Sequence, residues 1–299
     1  MSAVAARKPV KGTQGMRQGP RWRAHIVLGL TTFFFLLPIA YAFYTSLRPF
    51  SDTAEHGYAS IAHTLTLDNY KVAWTEAELP HYYLNTLLIT VPAIIITLFL
   101  ASMVAFGVSR YSWRFNLTLL IIFTAGNLLP PQVIITPLYR LFLEIPMPEF
   151  LSSSGTLYDS FYGIILIHVA FQVGFCVFVL SNFMRTLPIE LTEAALMDGA
   201  SVWRQYWQVI MPLCRAPLAA LATLEFTFIY NDFFWAIVLM QTGDKRPITS
   251  ALAGLQGAFF TNNNLVAAAC LVAALPTLVV YFILQKQFIG GLTLCSTKG

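Results

Sequence analysis

Residues 193–213 read EAALMDGASVWRQYWQVIMPL, and they interrupt a chain that is otherwise close to continuous hydrocarbon. Hydrophobic residues make up 57% of the 299 positions and charged ones 11%, with a mean hydropathy of +0.65. An average soluble domain carries about 25% charged residues. The background is therefore that of a membrane protein, and this stretch, with two acids, an Asp-Gly pair and an arginine, is a polar feature of one.

Around it, apolar run length sets the fold class. A bilayer-spanning helix needs roughly 20 predominantly apolar residues. Six stretches reach or approach that length, at about 25–47, 82–108, 117–142, 161–184, 217–240 and 264–288. Lipid cannot satisfy exposed backbone groups, so each must be helical. The expected fold is an all-α polytopic membrane protein of six transmembrane helices, with the quoted stretch between spans four and five. In "LLPPQVIITPLY" of the third span, Pro130, Pro131 and Pro137 remove helix hydrogen bonds. That span is expected to be kinked or broken, either as a packing kink or as a break lining a cavity.

Lys and Arg placement sets the orientation. Arg7, Lys8, Lys11, Arg17, Arg21 and Arg23 crowd the start without an acid among them, and Arg110, Arg114, Arg185, Arg204 and Arg215 mark two alternate connections. The intervening loops carry Asp52, Glu55, Asp68, Glu76 and Glu78 against Arg48 and Lys71, then Glu144, Glu149 and Asp159, while the fifth is mixed, with Asp244, Lys245 and Arg246. Both termini are expected in the cytoplasm. The net charge of +4 reflects this asymmetry and points to no nucleic-acid partner. A basic start, an apolar run and "AYA" at 40–42 also fit a cleavable signal peptide. The run is long for one, and a retained first span is expected.

The division that follows is a disordered basic tail at 1–24, the first span with an external loop at 25–81, a membrane core at 82–288 and a short cytoplasmic tail at 289–299. The external loop is long enough for a small ordered lobe, with a short helix beginning near Asp68. No GxxxxGK[ST] phosphate loop is present, so any role driven by ATP requires a separate subunit. There is no HExxH or GxSxG. The four cysteines and the histidines at 25, 56, 63, 81 and 168 show no metal-ligand spacing, and no metal site is expected.

Within 186–217 the helix signals predict two short helices. Thr186 is a candidate cap for the first, with Pro188 in its opening turn and Glu190 and Glu193 near its positive end. Leu191, Ala194 and Ala195 form a narrow face of the first helix. Gly199 after Asp198 supplies a stop, and Ser201 an N-cap for the second helix. Trp203, Tyr206, Trp207 and Ile210 fall at i, i+3, i+4, i+7 and define the second helix's apolar face. Pro212 and Pro217 set the corner into the fifth span. The pattern admits an interfacial connector or a docking element, whose small residues Ala194, Ala195, Gly199 and Ala200 let a partner approach closely.

The same stretch resembles the cytoplasmic EAA loop of ABC importer permeases: an EAA triplet, a glycine shortly after it, then an isoleucine and Leu-Pro. Glu193, Ala194, Ala195, Gly199, Ile210 and Pro212 stand at those positions, Met211 replaces the Leu, and Asp198 to Ala200 give the "DGA" of the carbohydrate (MalG-like) branch. "YYLNTLLIT", "LLPPQVIITPLYRL", "FIYNDFFWAIVLM" and the ending "GGLTLCSTKG" are similar to further motifs of that branch, with Cys295 where glycine is usual. The resemblance runs from Ile26 to Gly299.

It implies a permease subunit of an ATP-driven, binding-protein-dependent importer for a sugar or sugar-like solute in the bacterial inner membrane. Implied partners are a second permease, two ATPase copies holding ATP and Mg, and an external solute-binding protein; this chain binds no cofactor and is no enzyme. It also implies that Glu193, Ala194, Ala195, Asp198, Gly199, Ala200, Ile210 and Pro212 form the ATPase-coupling loop, that Gly291, Lys298 and Gly299 are a second contact, and that the 241–263 loop reaches toward the binding protein. Intramembrane polar groups default to functional hypotheses, which makes Asn85, Gln172, Glu225, Asn231 and Asp232, with Trp235, translocation-pathway candidates. Their alternative role is to satisfy helix breaks or pair across helices. An ATP-independent secondary transporter would show internal repeat symmetry and a charged intramembrane relay, and a membrane-embedded enzyme a convergent His, Asp or Cys site. None is apparent.

Overall fold

The computed structural model describes residues 21–126, 130–255 and 261–296, with side chains from 22 to 285 within those ranges. Thirteen helices are named here. α1 (Arg21–Ser46) is followed by a lobe holding α2 (Phe50–His56) and α3 (Asp68–Thr75). α4 (Leu79–Arg110), α5 (Asn116–Gly126), α6 (Pro131–Glu144) and α7 (Phe161–Thr186) come next. α8 (Glu190–Met197) and α9 (Val202–Leu213) lead into α10 (Arg215–Tyr230), α11 (Phe234–Leu239), α12 (Ile248–Gly254) and α13 (Asn263–Ser296).

Four helices, at Trp22–Ser46, Leu79–Arg110, Phe161–Thr186 and Asn263–Gln285, are long and apolar enough to cross a membrane, and two bent pairs raise the number to six. The first pair is the proline-rich third span. α5 and α6 meet at 93°, so this span is broken rather than gently kinked, as Pro130 and Pro131 at the start of α6 require. The other pair is α9 and α10, bent by 76°. The fifth span also departs from the single run expected at 217–240. α10 stops at Tyr230, Asn231 to Phe233 are non-helical, and α11 restarts at Phe234.

The centre of the bundle is the α4–α7 pair. Ala93, Thr97, Ala101 and Ala105 recur every four residues along α4 and are all fully buried. A ridge of small side chains lets a second helix approach closely in lipid, where packing rather than hydrophobicity drives association. Cys176, Val177, Leu180 and Met184 of α7 fill the space opposite, with Tyr206, Ile210, Cys214 and Leu221 closing one end of the cluster. At the other end of α7, Ser160 accepts from the Gly163 amide at 3.1 Å and caps the helix. α10 packs on α13, and the Tyr230 hydroxyl donates to the Ala273 carbonyl at 2.8 Å.

The expected external lobe is ordered around Arg48, a fully buried residue. Arginine has five N–H donors, and here five acceptors meet them: Asp52, the Gly57, Tyr58 and Ser60 carbonyls, and the Ser60 hydroxyl. The lobe is tied to the far end of the chain by Asn264, which is buried. Its Nδ2 donates to the Thr45 carbonyl at 3.0 Å, and its Oδ1 accepts from the Thr53 hydroxyl at 2.8 Å. α13 runs on to Ser296, past the expected end of the last span, and includes Gly291. Of the disordered tail expected at 1–24, residues 21–24 are instead the first turn of α1, and residues 1–20, with Lys298 and Gly299, lie outside the described residues.

Candidate functional site: the helix–turn–helix between the fourth and fifth spans

The quoted stretch folds as two helices, and the turn between them is a Schellman motif. The Ala200 amide donates to the Ala195 carbonyl at 2.9 Å and the Gly199 amide to the Leu196 carbonyl at 3.0 Å, satisfying the last carbonyls of α8. Gly199 sits at φ = +72°, which L side chains rarely adopt. Ser201 then caps α9, accepting from the Arg204 amide at 3.3 Å. Both residues act as the sequence predicts. Thr186 does not: it is the last residue of α7, and its hydroxyl donates back to the Phe183 carbonyl at 2.8 Å. Ile189 precedes α8 in its place, without a side-chain cap bond.

The base of this unit is locked to the bundle. Arg110, ending α4, is buried and donates to the Leu187 and Pro188 carbonyls at 3.1 and 3.3 Å, pinning the corner between α7 and α8. Gln205 is buried and bridges two elements: its Nε2 donates to the Ala200 carbonyl at 2.9 Å, and its Oε1 accepts from the Tyr111 hydroxyl at 2.9 Å. Burial pushes the Tyr111 phenol above its ordinary value. The Tyr206 hydroxyl lies 2.7 Å from that of Ser102 on α4. A π-helical turn at Gln205–Ile210 widens α9 here. It buries Gln205, Tyr206 and Ile210 while Trp203 and Trp207 remain half exposed beside them. The predicted four-residue apolar face is thus split between core and surface.

The tip is the opposite. Met197 is 88% exposed, Leu196 65% and Val202 56%. Glu193, Ala194, Asp198 and Gly199 are also on the surface, whereas Thr192 and Ala195 face inward. The exposed small-residue face is therefore Ala194 and Gly199, and the expected grouping of Leu191 with Ala194 and Ala195 holds only in part, because Ala195 is buried. Ile210 is fully buried as a packing residue, and Pro212 is exposed at the corner. Sequence reasoning missed Arg110, Gln205 and Tyr111 as anchors. Arg110 had been legible only as a topology charge.

The intramembrane polar residues are engaged in holding a loop, capping a helix and pairing with neighbours. Asn85 is buried, and its Nδ2 donates to the Asp244 and Arg246 carbonyls at 2.6 and 3.1 Å. Asp232 caps α11, accepting from the Trp235 and Ala236 amides at 3.3 and 3.2 Å, and its carboxylate lies 3.6 Å from His168 Nε2. Asn231 donates back to the Thr227 carbonyl at 2.8 Å and is exposed, while Trp235 is buried against Phe171. Asp159, at φ = +55°, grips the other side of the loop by accepting from the Gln241 and Thr242 amides at 2.8 and 3.0 Å. Glu225 is fully buried and accepts from the Cys176 thiol at 3.2 Å. Among the described residues, Asn85 bonds to the 244–246 loop and to neither Asn231 nor Asp232.

Comparison with known proteins places this architecture. The profile described as "Binding-protein-dependent transport system inner membrane component" matches residues 93–292. The chain is 31% identical over 236 residues to the melibiose/raffinose/stachyose import permease MelC of Bacillus subtilis, covering 79% of this chain and 82% of that one. It is 28% identical over 272 residues to the diacetylchitobiose uptake permease NgcG of Streptomyces coelicolor, covering 90% and 86%. Among solved structures, a bacterial ABC transporter involved in alginate import superposes with a TM-score of 0.75 at 21% identity, over 92% of this chain and all of that one. Its low identity speaks for the fold alone. The profile spans most of the membrane core and all of the helix–turn–helix, and so the chain belongs to the family of inner-membrane permease components of binding-protein-dependent ABC transporters, a transport subunit rather than an enzyme.

Proposed function

We propose that this permease forms half of the translocation pathway for a sugar or sugar-like solute, and that α8, the Gly199 turn and α9 are the handle by which a separate ATPase moves it. One observation carries the reading: an apolar tip of Leu196, Met197 and Val202 is left bare while its base is bonded to α4 and its end, by Arg110 to the Leu187 carbonyl, by Tyr111 to Gln205 and by Ser102 to Tyr206. A rigid lever needs both features. A push on the tip is transmitted to the pore-lining helices as a body movement, and the exposed apolar side chains are what a groove on a partner would cover.

The related permeases named for oligosaccharides support carbohydrate as the solute class. The partners of this reading are a second permease, two ATPase subunits carrying ATP and Mg, and an external binding protein. The basic starts and loops put both termini and the handle in the cytoplasm. Asp232 serves the pathway by capping the restart of the fifth span, Trp235 by packing α11 on α7 and Asn85 by holding the loop that follows, rather than by touching solute, and Asn231 is the pathway candidate left at the surface. Gly291, with Lys298 and Gly299, remains the second ATPase contact.

Gly199→Pro tests the handle, because proline's φ near −65° is incompatible with +72°. Asp198→Lys tests it without backbone strain. Both variants are expected to reach the membrane at normal levels, to lose solute uptake, and to leave ATP hydrolysis unresponsive to loaded binding protein. Uptake at the wild-type rate in both would overturn the coupling role.

A further inference from the structure

In the lobe after the first span, the fold assembles a set of side chains that the sequence spacing hides. Asp52 in α2 directs Oδ1 toward Nδ1 of His56 at 3.5 Å and Nδ1 of His63 at 3.3 Å. Ligand atoms of the three residues all lie within 4.8 Å of one another. The two imidazole rings stack with centroids 4.0 Å apart. We propose that Asp52, His56 and His63 bind a divalent transition-metal ion of the zinc class, a role that goes beyond the transport reading and is independent of it.

The distances suit such an ion. Ligands about 2.1 Å from a tetrahedral centre stand roughly 3.4 Å apart, close to both carboxylate–imidazole separations. The donor set is equally informative: two imidazoles with one carboxylate favour zinc, cobalt, nickel or copper over magnesium or calcium, which prefer all-oxygen shells. Asp52 is already oriented for the task. Its Oδ2 accepts from Arg48 Nε at 2.8 Å, while Oδ1 faces the two rings and also accepts from the His63 amide at 3.3 Å, and a hydrogen-bonded ligand carboxylate is the usual outer-shell arrangement. The Asp52 side chain is 3% exposed, that of His56 36% and that of His63 62%. An ion therefore meets a fixed carboxylate at the base and two accessible imidazoles at the rim, with room for water as a further ligand.

Binding requires each Nδ1 to present its lone pair, so the ring protons move to Nε2 or leave to solvent. The Arg48 charge opposes the ion from the far side of the carboxylate, which makes the site one of modest affinity. Occupancy would cross-link α2 to the 57–66 segment, which already folds around Arg48 through the Gly57, Tyr58 and Ser60 carbonyls.

The test uses the assembled transporter, prepared without a polyhistidine tag, stripped with chelator and titrated with Co²⁺ and then Zn²⁺. One Co²⁺ per chain is expected, with visible d–d absorption of a nitrogen–oxygen site and displacement by Zn²⁺. Outer-shell changes alone cost 10–100-fold in metal affinity, so His56→Asn and His63→Asn are each expected to weaken binding by at least about tenfold. The exposed His25→Asn serves as the control and leaves it unchanged. Variants that stay monodisperse and bind Co²⁺ as the wild type does, or a wild type without that absorption, would overturn the site and leave a hydrogen-bonded His–Asp cluster.

Discussion

Arg48 meets five acceptors with its five N–H donors and so fixes the Asp52 carboxylate beside it. Gly199 and Ser201 act within a few residues of themselves, so their turn and cap roles follow from the sequence and are found in place. Arg48 was legible only as a loop charge, because four of its five acceptors belong to residues 57–60, brought to it by the fold. Its effect reaches Asp52. Burial pushes that carboxyl up, but hydrogen bonds from Arg48 and the His63 amide, with the Arg48 charge, pull it below the ordinary carboxylate value. A depressed folded pKa contributes stability above the unfolded value of about 3.9. That contribution is lost as pH falls through the lower folded value. Amide exchange across residues 50–66 is accordingly expected to stay slow down to about that pH and to rise below it, a rise that Asp52→Asn should abolish. Gly163 offers a second test. A Cβ there would meet the Leu157 carbonyl at 2.5 Å and the Phe142 ring at 3.1 Å. Gly163→Ala is therefore expected to destabilise the chain by about 1–3 kcal/mol, read as a lower unfolding midpoint in mild detergent.

The elements show where hydropathy stops being informative. Apolar run length finds the spans because lipid demands it, and the prolines of the third span announce its break. The break in the fifth span is quieter. Asn231 and Asp232 sit in an unbroken apolar run, and they were legible as polar oddities rather than as the cap of a new helix. Hydropathy registers how apolar a segment is, whereas capping depends on where one carboxylate points. The π-helical turn in α9 is hidden for a related reason: the 3.6-residue pattern of Trp203, Tyr206, Trp207 and Ile210 fits an ordinary helix, and the extra residue appears only when Gln205 and Tyr206 reach Tyr111 and Ser102. If α9 is held by its cap as well as by these bonds, Ser201→Ala should cost about 1 kcal/mol. Faster amide exchange at Val202–Arg204, with α8 unchanged, is the observation that would confirm it.

For the whole molecule, the contrast is between a packed interior around α4 and α7 and an outside on which α1, much of α4, α5 and α13, and the tip between α8 and α9 bare apolar side chains. α1 exposes its apolar side chains along most of its length and is held chiefly by α13 and by Asn264, as a helix facing lipid or another membrane subunit must be. The tip between α8 and α9 is bare as well, and it lies outside the apolar spans. The proposed ATPase contact would cover this tip and can be read directly. A photo-crosslinking side chain at Met197, the most exposed residue of the tip, in cells expressing the intact transport system, is expected to yield one dominant adduct whose peptides carry an ATP-binding Walker motif, lost in the Gly199→Pro background. Adducts to lipid alone, or to an unrelated protein while the transporter remains active, would contradict the handle and return the loop to the role of an interfacial connector.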